Sequence, residues 1–329
     1  MNNSKIELAI AGAGRWGFNH VKTAYGILGD NLKYVCDVFP AASEKIKGVC
    51  ENIKFTTDFE DVLRDDEVNA VIIATSAEIH YNLAKKALLA GKNVLVEKPI
   101  TLLTMEAKEL LDIAGKKNLK LMVGHILLFH PAVLKIKEML DSGKLGKLQY
   151  IYSNRLNLGA IRTEENILWS FAPHDISVIQ FLTDRNPVSI KASGAKFVQN
   201  NIEDTTLTIL EYPDNIHAHI YVSWLHPFKE QRLVVIGSEG MLTFEDTLKS
   251  EKLKFYKKGF VNNDGTIEKF DSEYEPVAFD NTQPLEEEQK HFFDCILNNE
   301  KPRTDGKHAL EVLEILEKAQ QQLRAVKSR

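Results

Sequence analysis

Gly12, Gly14 and Gly17 lie in the run Gly12-Ala13-Gly14-Arg15-Trp16-Gly17, a G-x-G-x-x-G placed between an apolar stretch at 6–12 and a helical stretch. Each glycine answers a separate steric need. The first permits a tight turn, the second lets the backbone approach a pyrophosphate, and the third lets a helix lie close to a sheet. The phosphates would then rest at the positive end of that helix. Asp37 closes the next apolar run, 20 residues beyond Gly17, where a carboxylate accepts hydrogen bonds from ribose hydroxyls. No arginine follows in residues 38–42 to receive the extra phosphate of NADP. The expected cofactor is NAD, with Gly12, Gly14, Arg15, Trp16, Gly17 and Asp37 around it.

A second pair of residues could act on a hydroxyl. In Val94-Leu95-Val96-Glu97-Lys98-Pro99 a hydrophobic strand delivers a lysine to its end. Proline holds the preceding residue extended, so Lys98 cannot be drawn into a helical turn. The carboxyl ends of such strands are where ligands sit in an α/β sheet. An ammonium there can hold a hydroxyl oxygen and favour loss of its proton as a hydride leaves. The plainer alternative is that Glu97 and Lys98 are solvated residues ending a strand. His174, in residues 167–179, has the side chain best suited to general-base work near neutral pH. Pro173 suits the first turn of a helix, so a helix over about 173–182 is expected, with His174 and Asp175 at its start. His174 as a simple helix-start residue, with Asp175 favourable to the dipole, stays open.

The elements that would carry these residues are legible. Apolar runs at 6–12, 32–37, 69–75, 92–98 and 119–125 alternate with helical patterns, notably 77–91 and 105–117. Ser76 and Thr104 are the expected caps of those two helices, and Gly91 the expected stop. Near-continuous apolar strands separated by helices indicate a parallel sheet covered on both faces. After His125 a helix is expected over 131–141, then strands at 148–158, 188–198, 204–212, 216–224 and 232–238, and a final helix over 307–326. That texture is α+β with a largely antiparallel sheet. Residues 258–281 read as a loop or short hairpin. The period of two along 216–224 puts His217 and His219 on one face, which reads as a solvated or subunit-facing surface rather than a metal site.

The chain has 329 residues and a net charge of −5, which gives no reason to expect nucleic acid or an anionic membrane as partner. Cys36, Cys50 and Cys295 lack metal-ligand spacing, and no metal is expected. Their odd number, with no secretory signal and no membrane-spanning apolar run, points to a cytoplasmic protein.

Together the glycine run, the "AGKNVLVEKP" segment at 90–99 and "LWSFAPHDI" at 168–176 resemble the glucose–fructose oxidoreductase / inositol dehydrogenase (Gfo/Idh/MocA) family over essentially the whole chain. The resemblance implies an NAD-binding Rossmann domain over 1–125 and a substrate-binding α+β domain over 126–329, whose open sheet commonly mediates subunit contacts. It implies Lys98 as the active-site lysine, with Pro99 often cis, and His174 as the catalytic base. Thr75, His80 and Glu97 join the expected cofactor-binding residues. The segment 154–176 is similar to a subgroup acting on nucleotide sugars. That implies oxidation of the 3-hydroxyl of a UDP-linked N-acetylated sugar, a downstream aminotransferase as partner, and a homodimer or homotetramer. Arg155, Asn157, Arg162 and Ser170 are then the substrate-binding candidates. Ser170 stands where many relatives carry an aspartate, so a carboxylate-assisted relay to His174 is not implied here. A UDP-linked N-acetylated uronate, NAD-dependent glycoside cleavage and a non-catalytic regulator sensing NAD or sugar are the alternatives.

Overall fold

A computed structural model describes residues 5–50 and 52–325. In the first half, β1 (Leu8–Ala11) leads through the glycine run into α1 (Arg15–Leu28). There follow β2 (Leu32–Cys36), α2 (Ala42–Lys47), β3 (Lys54–Thr56), α3 (Phe59–Arg64), β4 (Ala70–Ile73), α4 (Ala77–Leu89), β5 (Asn93–Glu97), α5 (Thr104–Lys117) and β6 (Leu121–Gly124). The six strands form a parallel sheet in the order β3-β2-β1-β4-β5-β6. β1, β4 and β6 are buried along their whole length, as a parallel sheet covered by helices requires. The order reverses between β1 and β4, and ligands of such sheets bind at the carboxyl ends beside that switch point. Gly12 stands there.

All five strands expected in this half are present, each slightly shorter than its apolar run. β3, α2 and α3 were not anticipated. Two cap assignments fail. Ser76 occupies the N-cap of α4 but its side chain makes no capping bond, and α5 starts at Thr104 itself with Leu103 at the cap. Gly91 does end α4's turn in a left-handed conformation, φ 78°.

The remaining elements begin with α6 (Pro131–Asp141), β7 (Leu148–Leu158) and α7 (Ile167–Thr183). Then come β8 (Ser189–Ala195), β9 (Thr205–Tyr212), β10 (Ile216–Ser223), β11 (Leu225–Gly237), β12 (Met241–Glu245), β13 (Leu253–Asn263) and β14 (Thr266–Pro276). These eight strands form one sheet, β14-β13-β12-β11-β7-β10-β9-β8, in which the β7–β10 pair is parallel and the other pairs antiparallel. The largely antiparallel second sheet is as expected. Residues 258–281, expected as a loop or short hairpin, lie mostly in a hairpin, longer than expected, of β13 and β14, closed by Asp264 and Gly265, both at positive φ as a two-residue hairpin turn demands.

α7 corrects the reading of Pro173. The helix starts six residues earlier, where Asn166 Oδ1 accepts the Trp169 amide at 3.2 Å. Pro173 therefore sits in the interior, and His174 and Asp175 lie mid-helix rather than at its start. Proline costs a backbone hydrogen bond there. Burial of most of α7 outweighs that loss, which local sequence rules do not register.

Two more helices complete the chain, α8 (Pro284–Leu297), which was not anticipated, and α9 (Gly306–Ala325), which was expected over 307–326. Residue 326 lies outside the described residues. The chain forms two compact units. One runs to Phe129 and takes in Thr282–Leu313; the other comprises His130–Asn281 and resumes at Glu314. A cut at 125/126 thus leaves out the segment 282–313, which returns to the first unit. It is stitched there by the Val123 amide donating to the Thr304 carbonyl at 2.9 Å and by a bridge between Met122 and Asp305.

Candidate active site

The glycine run behaves as its spacing requires. Gly12 has φ 97°, and a Cβ on it would lie 2.5 Å from the Ala74 carbonyl oxygen at the end of β4. A Cβ on Gly17 would lie 2.0 Å from the Gly12 carbonyl oxygen, so α1 and the turn touch backbone to backbone. Gly14 is different: a Cβ there meets nothing within 4 Å. Its reason for being glycine is not internal packing, which leaves the approach of a ligand. Gly14 is also the N-cap of α1, whose first amides point outward, and its own side-chain position offers no cap.

Asp37 follows β2 and reaches back to this turn. Its Oδ2 accepts the Ala13 amide at 2.6 Å and its Oδ1 the Phe39 amide at 2.9 Å. The carboxylate braces the glycine turn while keeping lone pairs for ribose hydroxyls. Turn, helix start and acid converge on one place, and their donor and acceptor types fit a dinucleotide. Arg15 is exposed on the first turn of α1.

Trp16, 42% exposed, donates its indole N–H to Glu97 Oε1 at 2.6 Å. Glu97 also accepts from the His20 ring at 2.8 Å and from the backbone amide of Lys98 at 3.2 Å. Burial works against its charge, but the His20 and Trp16 hydrogen bonds and the positive charge of Lys98 hold the carboxyl below its ordinary range. Glu97 is therefore an internal anion behind Lys98. Lys98 itself is half-buried at the end of β5, and the Lys98–Pro99 bond is cis. Gly124, at the end of β6, leaves room for this carboxylate: a Cβ there would fall 2.9 Å from Glu97 Cδ.

His80 is not turned to a ligand. It is 1% exposed, with Nδ1 2.8 Å from the Pro99 carbonyl oxygen and Nε2 3.1 Å from that of Thr75. It ties the end of β4 to the segment after β5, and it acts on the site through Thr75 and Pro99. Thr75 is half-buried at the strand end.

In the second unit, β7 and α7 are locked together by Asp175, which the sequence offered only as a dipole partner at a helix start. Asp175, 4% exposed, accepts from Arg155 Nε at 2.9 Å and Nη2 at 3.1 Å, and from Ser153 Oγ at 2.5 Å. Ser153 and Arg155 share a face of β7 by the period of two, a signal that could have paired them with an acid. The Arg155 guanidinium is thus largely engaged within the protein. His174, next to Asp175, is half-buried, and its carbonyl accepts the Ser177 hydroxyl at 2.8 Å. Ser170, 8% exposed, lies one helical turn earlier on the same helix. Asn157, on β7, has a buried Oδ1 with no hydrogen-bond partner among the described residues, lying against Gly159. Arg162 is exposed, and its carbonyl accepts Gln199 Nε2 at 2.7 Å. His219 packs on Tyr152 in a stacked pair and contacts the Tyr150 hydroxyl at 2.5 Å, so its neighbours are aromatic.

Comparison with known proteins agrees with this construction. Residues 6–125 match the profile of the Gfo/Idh/MocA oxidoreductase family, NAD-binding Rossmann fold, and residues 133–243 match the Gfo/Idh/MocA C-terminal domain. The chain is 29% identical to an inositol 2-dehydrogenase of Rhizobium meliloti (strain 1021), over 73% of this chain and 76% of that one. It is 26% identical to the scyllo-inositol 2-dehydrogenase (NAD(+)) of Bacillus subtilis (strain 168), over 91% and 88%. Among solved structures it superposes on UDP-N-acetylglucosamine 3-dehydrogenase GnnA from Acidithiobacillus ferrooxidans with a TM-score of 0.83 at 22% identity, covering 97% of each chain. The chain belongs to the Gfo/Idh/MocA family and is an NAD-binding oxidoreductase that acts on a CH–OH group.

Proposed function

We propose that the protein oxidises the 3-hydroxyl of a UDP-linked N-acetylated sugar, UDP-N-acetylglucosamine first, to the 3-keto sugar. NAD supplies the hydride acceptor. Lys98 is the residue on which the reading turns: an ammonium fixed at the carboxyl end of β5, half-buried and backed by an internal carboxylate. It holds the reacting oxygen and steadies negative charge as it develops. His174 takes the hydroxyl proton, and with Ser170 in place of an acid it acts without a carboxylate four residues before it. Arg162, exposed on the segment leading into α7, is the guanidinium open to a diphosphate, and Asn157 offers an amide to a sugar hydroxyl or acetamido group. The similarity of residues 154–176 to the nucleotide-sugar subgroup and the full-length likeness to GnnA support this substrate. A homodimer or homotetramer built on the open face of the second sheet, a cytoplasmic location and a downstream aminotransferase belong to the same reading.

A second reading is oxidation of an inositol. It is favoured by the two inositol dehydrogenases among the relatives, and by the engagement of Arg155 with Asp175, which removes one of two guanidiniums from diphosphate recognition. Purified protein with NAD, offered UDP-N-acetylglucosamine, its uronate and myo-inositol in turn, separates the readings by which one drives nicotinamide reduction.

A further inference from the structure

Behind Lys98 lies a buried polar cluster of which the reaction above uses only Glu97. Glu97 from β5, Trp16 and His20 from α1, and Glu288 and Gln289 from α8 meet there, all in the first unit. His20, Glu288 and Gln289 are each 0% exposed. Gln289 Nε2 lies 3.1 Å from His20 Nδ1 and 3.2 Å from the His20 backbone carbonyl oxygen. A carbonyl only accepts, so the amide must present its nitrogen to both atoms. Nδ1 then offers a lone pair to the amide, and the imidazole proton sits on Nε2, directed at Glu97 Oε1.

One nitrogen and two carboxylate oxygens here lie within 4.8 Å of one another, as in a metal site. The tautomer argues against that use, because a metal needs the Nε2 lone pair. Glu97 is moreover satisfied by three donors, Trp16, His20 and the Lys98 amide. Among the described residues, neither carboxyl oxygen of Glu288 has a hydrogen-bond partner. Burial and the Glu97 charge push that carboxyl well above its ordinary range, which favours its neutral form. The cluster thus carries a single negative charge, on Glu97.

We propose that His20 and Gln289 are positioning residues for Lys98, acting through Glu97: the Gln289 amide fixes the His20 tautomer, and His20 fixes the carboxylate that faces Lys98. The proposal rests on the role given to Lys98 above. The titratable groups facing Glu97 are His20 from α1, Glu288 from α8 and Lys98 beside it in the chain; β6 contributes only Gly124, whose missing Cβ leaves the carboxylate its space.

The test uses the full-length protein and does not depend on finding the sugar. The rate at which an amine-reactive reagent labels Lys98 at pH 8, read by peptide mass spectrometry against the other lysines, reports its counter-charge. Glu97→Gln should raise it about tenfold. Gln289→Leu, and Gly124→Ala, which crowds the carboxylate without removing a polar group, should raise it at least threefold. Glu288→Gln, the isostere of a neutral acid, should leave it unchanged and should raise the melting temperature at pH 8 but not at pH 4. The sign follows because a carboxyl whose folded pKa is raised stabilises at low pH and loses that contribution as pH rises. Imidazole nitrogen chemical shifts of His20 should show the proton on Nε2. Unchanged Lys98 labelling in Gln289→Leu and Gly124→Ala, or a His20 proton on Nδ1, would overturn the proposal. If no sugar is oxidised while Lys98 labelling responds as stated, the substrate reading fails and this one stands.

Discussion

The Arg155 guanidinium and the Asp175 carboxylate form a two-point ion pair between β7 and α7, at 2.9 and 3.1 Å, with the Ser153 hydroxyl on the same carboxylate. The carboxylate is almost wholly buried, so the pair is worth most when one asks what remains if a partner is lost. Arg155→Ala leaves a buried anion with one hydroxyl, and should cost about 3–5 kcal/mol in urea unfolding. Arg155→Lys keeps the charge but not the fork and should fall between. Asp175 follows His174 directly, so a loss of activity in Arg155→Lys out of proportion to its loss of stability would show the pair setting the angle of that helix segment.

Gly14 and Gly17 should part company under alanine substitution. At Gly17 the new methyl has no room against the Gly12 carbonyl, and the protein should lose several degrees of melting temperature. At Gly14 the methyl meets open space, so folding should be nearly unaffected while NAD binding weakens at least tenfold. Melting curves with and without NAD check both statements in one experiment.

Asp37 accepts two backbone amides at the turn and is the acid expected on the ribose. Asp37→Ala removes charge-assisted hydrogen bonds of about 1.5–3 kcal/mol. The dissociation constant for NAD should rise by one to two orders of magnitude, and the preference over NADP should narrow. Isothermal titration with both nucleotides decides it.

The first sheet was readable because its strands are buried on both faces and therefore apolar throughout, and because each glycine of the turn has a steric task of its own. Lys98, Glu97 and the carboxyl-end placement followed from the same pattern. What escaped did so for identifiable reasons. The length of the β13–β14 hairpin escaped because the end of β13, from Phe260 to Asn263, and nearly all of β14 are exposed, so no apolar alternation marks a strand there. Pro173 reads locally as a helix start, and only the burial of α7 explains why the helix passes through it. Gln289 and Glu288 come from a helix rich in glutamate at its front, and nothing near them in sequence points to His20, some 269 residues away. Asp175 seemed a dipole partner because its helix was placed six residues late.

His308 supplies a pH dependence. Burial, only partly offset by Asp305, holds its imidazole down at about 4. The unfolded chain takes up that proton near the ordinary 6.5, so between pH 6.5 and 4 the unfolded state binds more protons than the folded one. Stability should therefore fall as pH is lowered through this window, by on the order of 3 kcal/mol. His125, whose ring lies edge-on to His308 at 5.4 Å, is held low chiefly by burial and adds to the same trend. His308→Phe keeps an aromatic ring in place and should flatten the slope, measured by urea unfolding at pH 7 and pH 4.5.

The most direct test is nicotinamide reduction by the purified protein with NAD and UDP-N-acetylglucosamine, run with a ketone trap beside myo-inositol and the uronate. Reduction with the first sugar, falling at least a hundredfold in Lys98→Ala and in His174→Ala while NAD still binds, is the predicted result. Reduction with myo-inositol and none with UDP-N-acetylglucosamine, or a Lys98→Ala enzyme as fast as the parent, would contradict it.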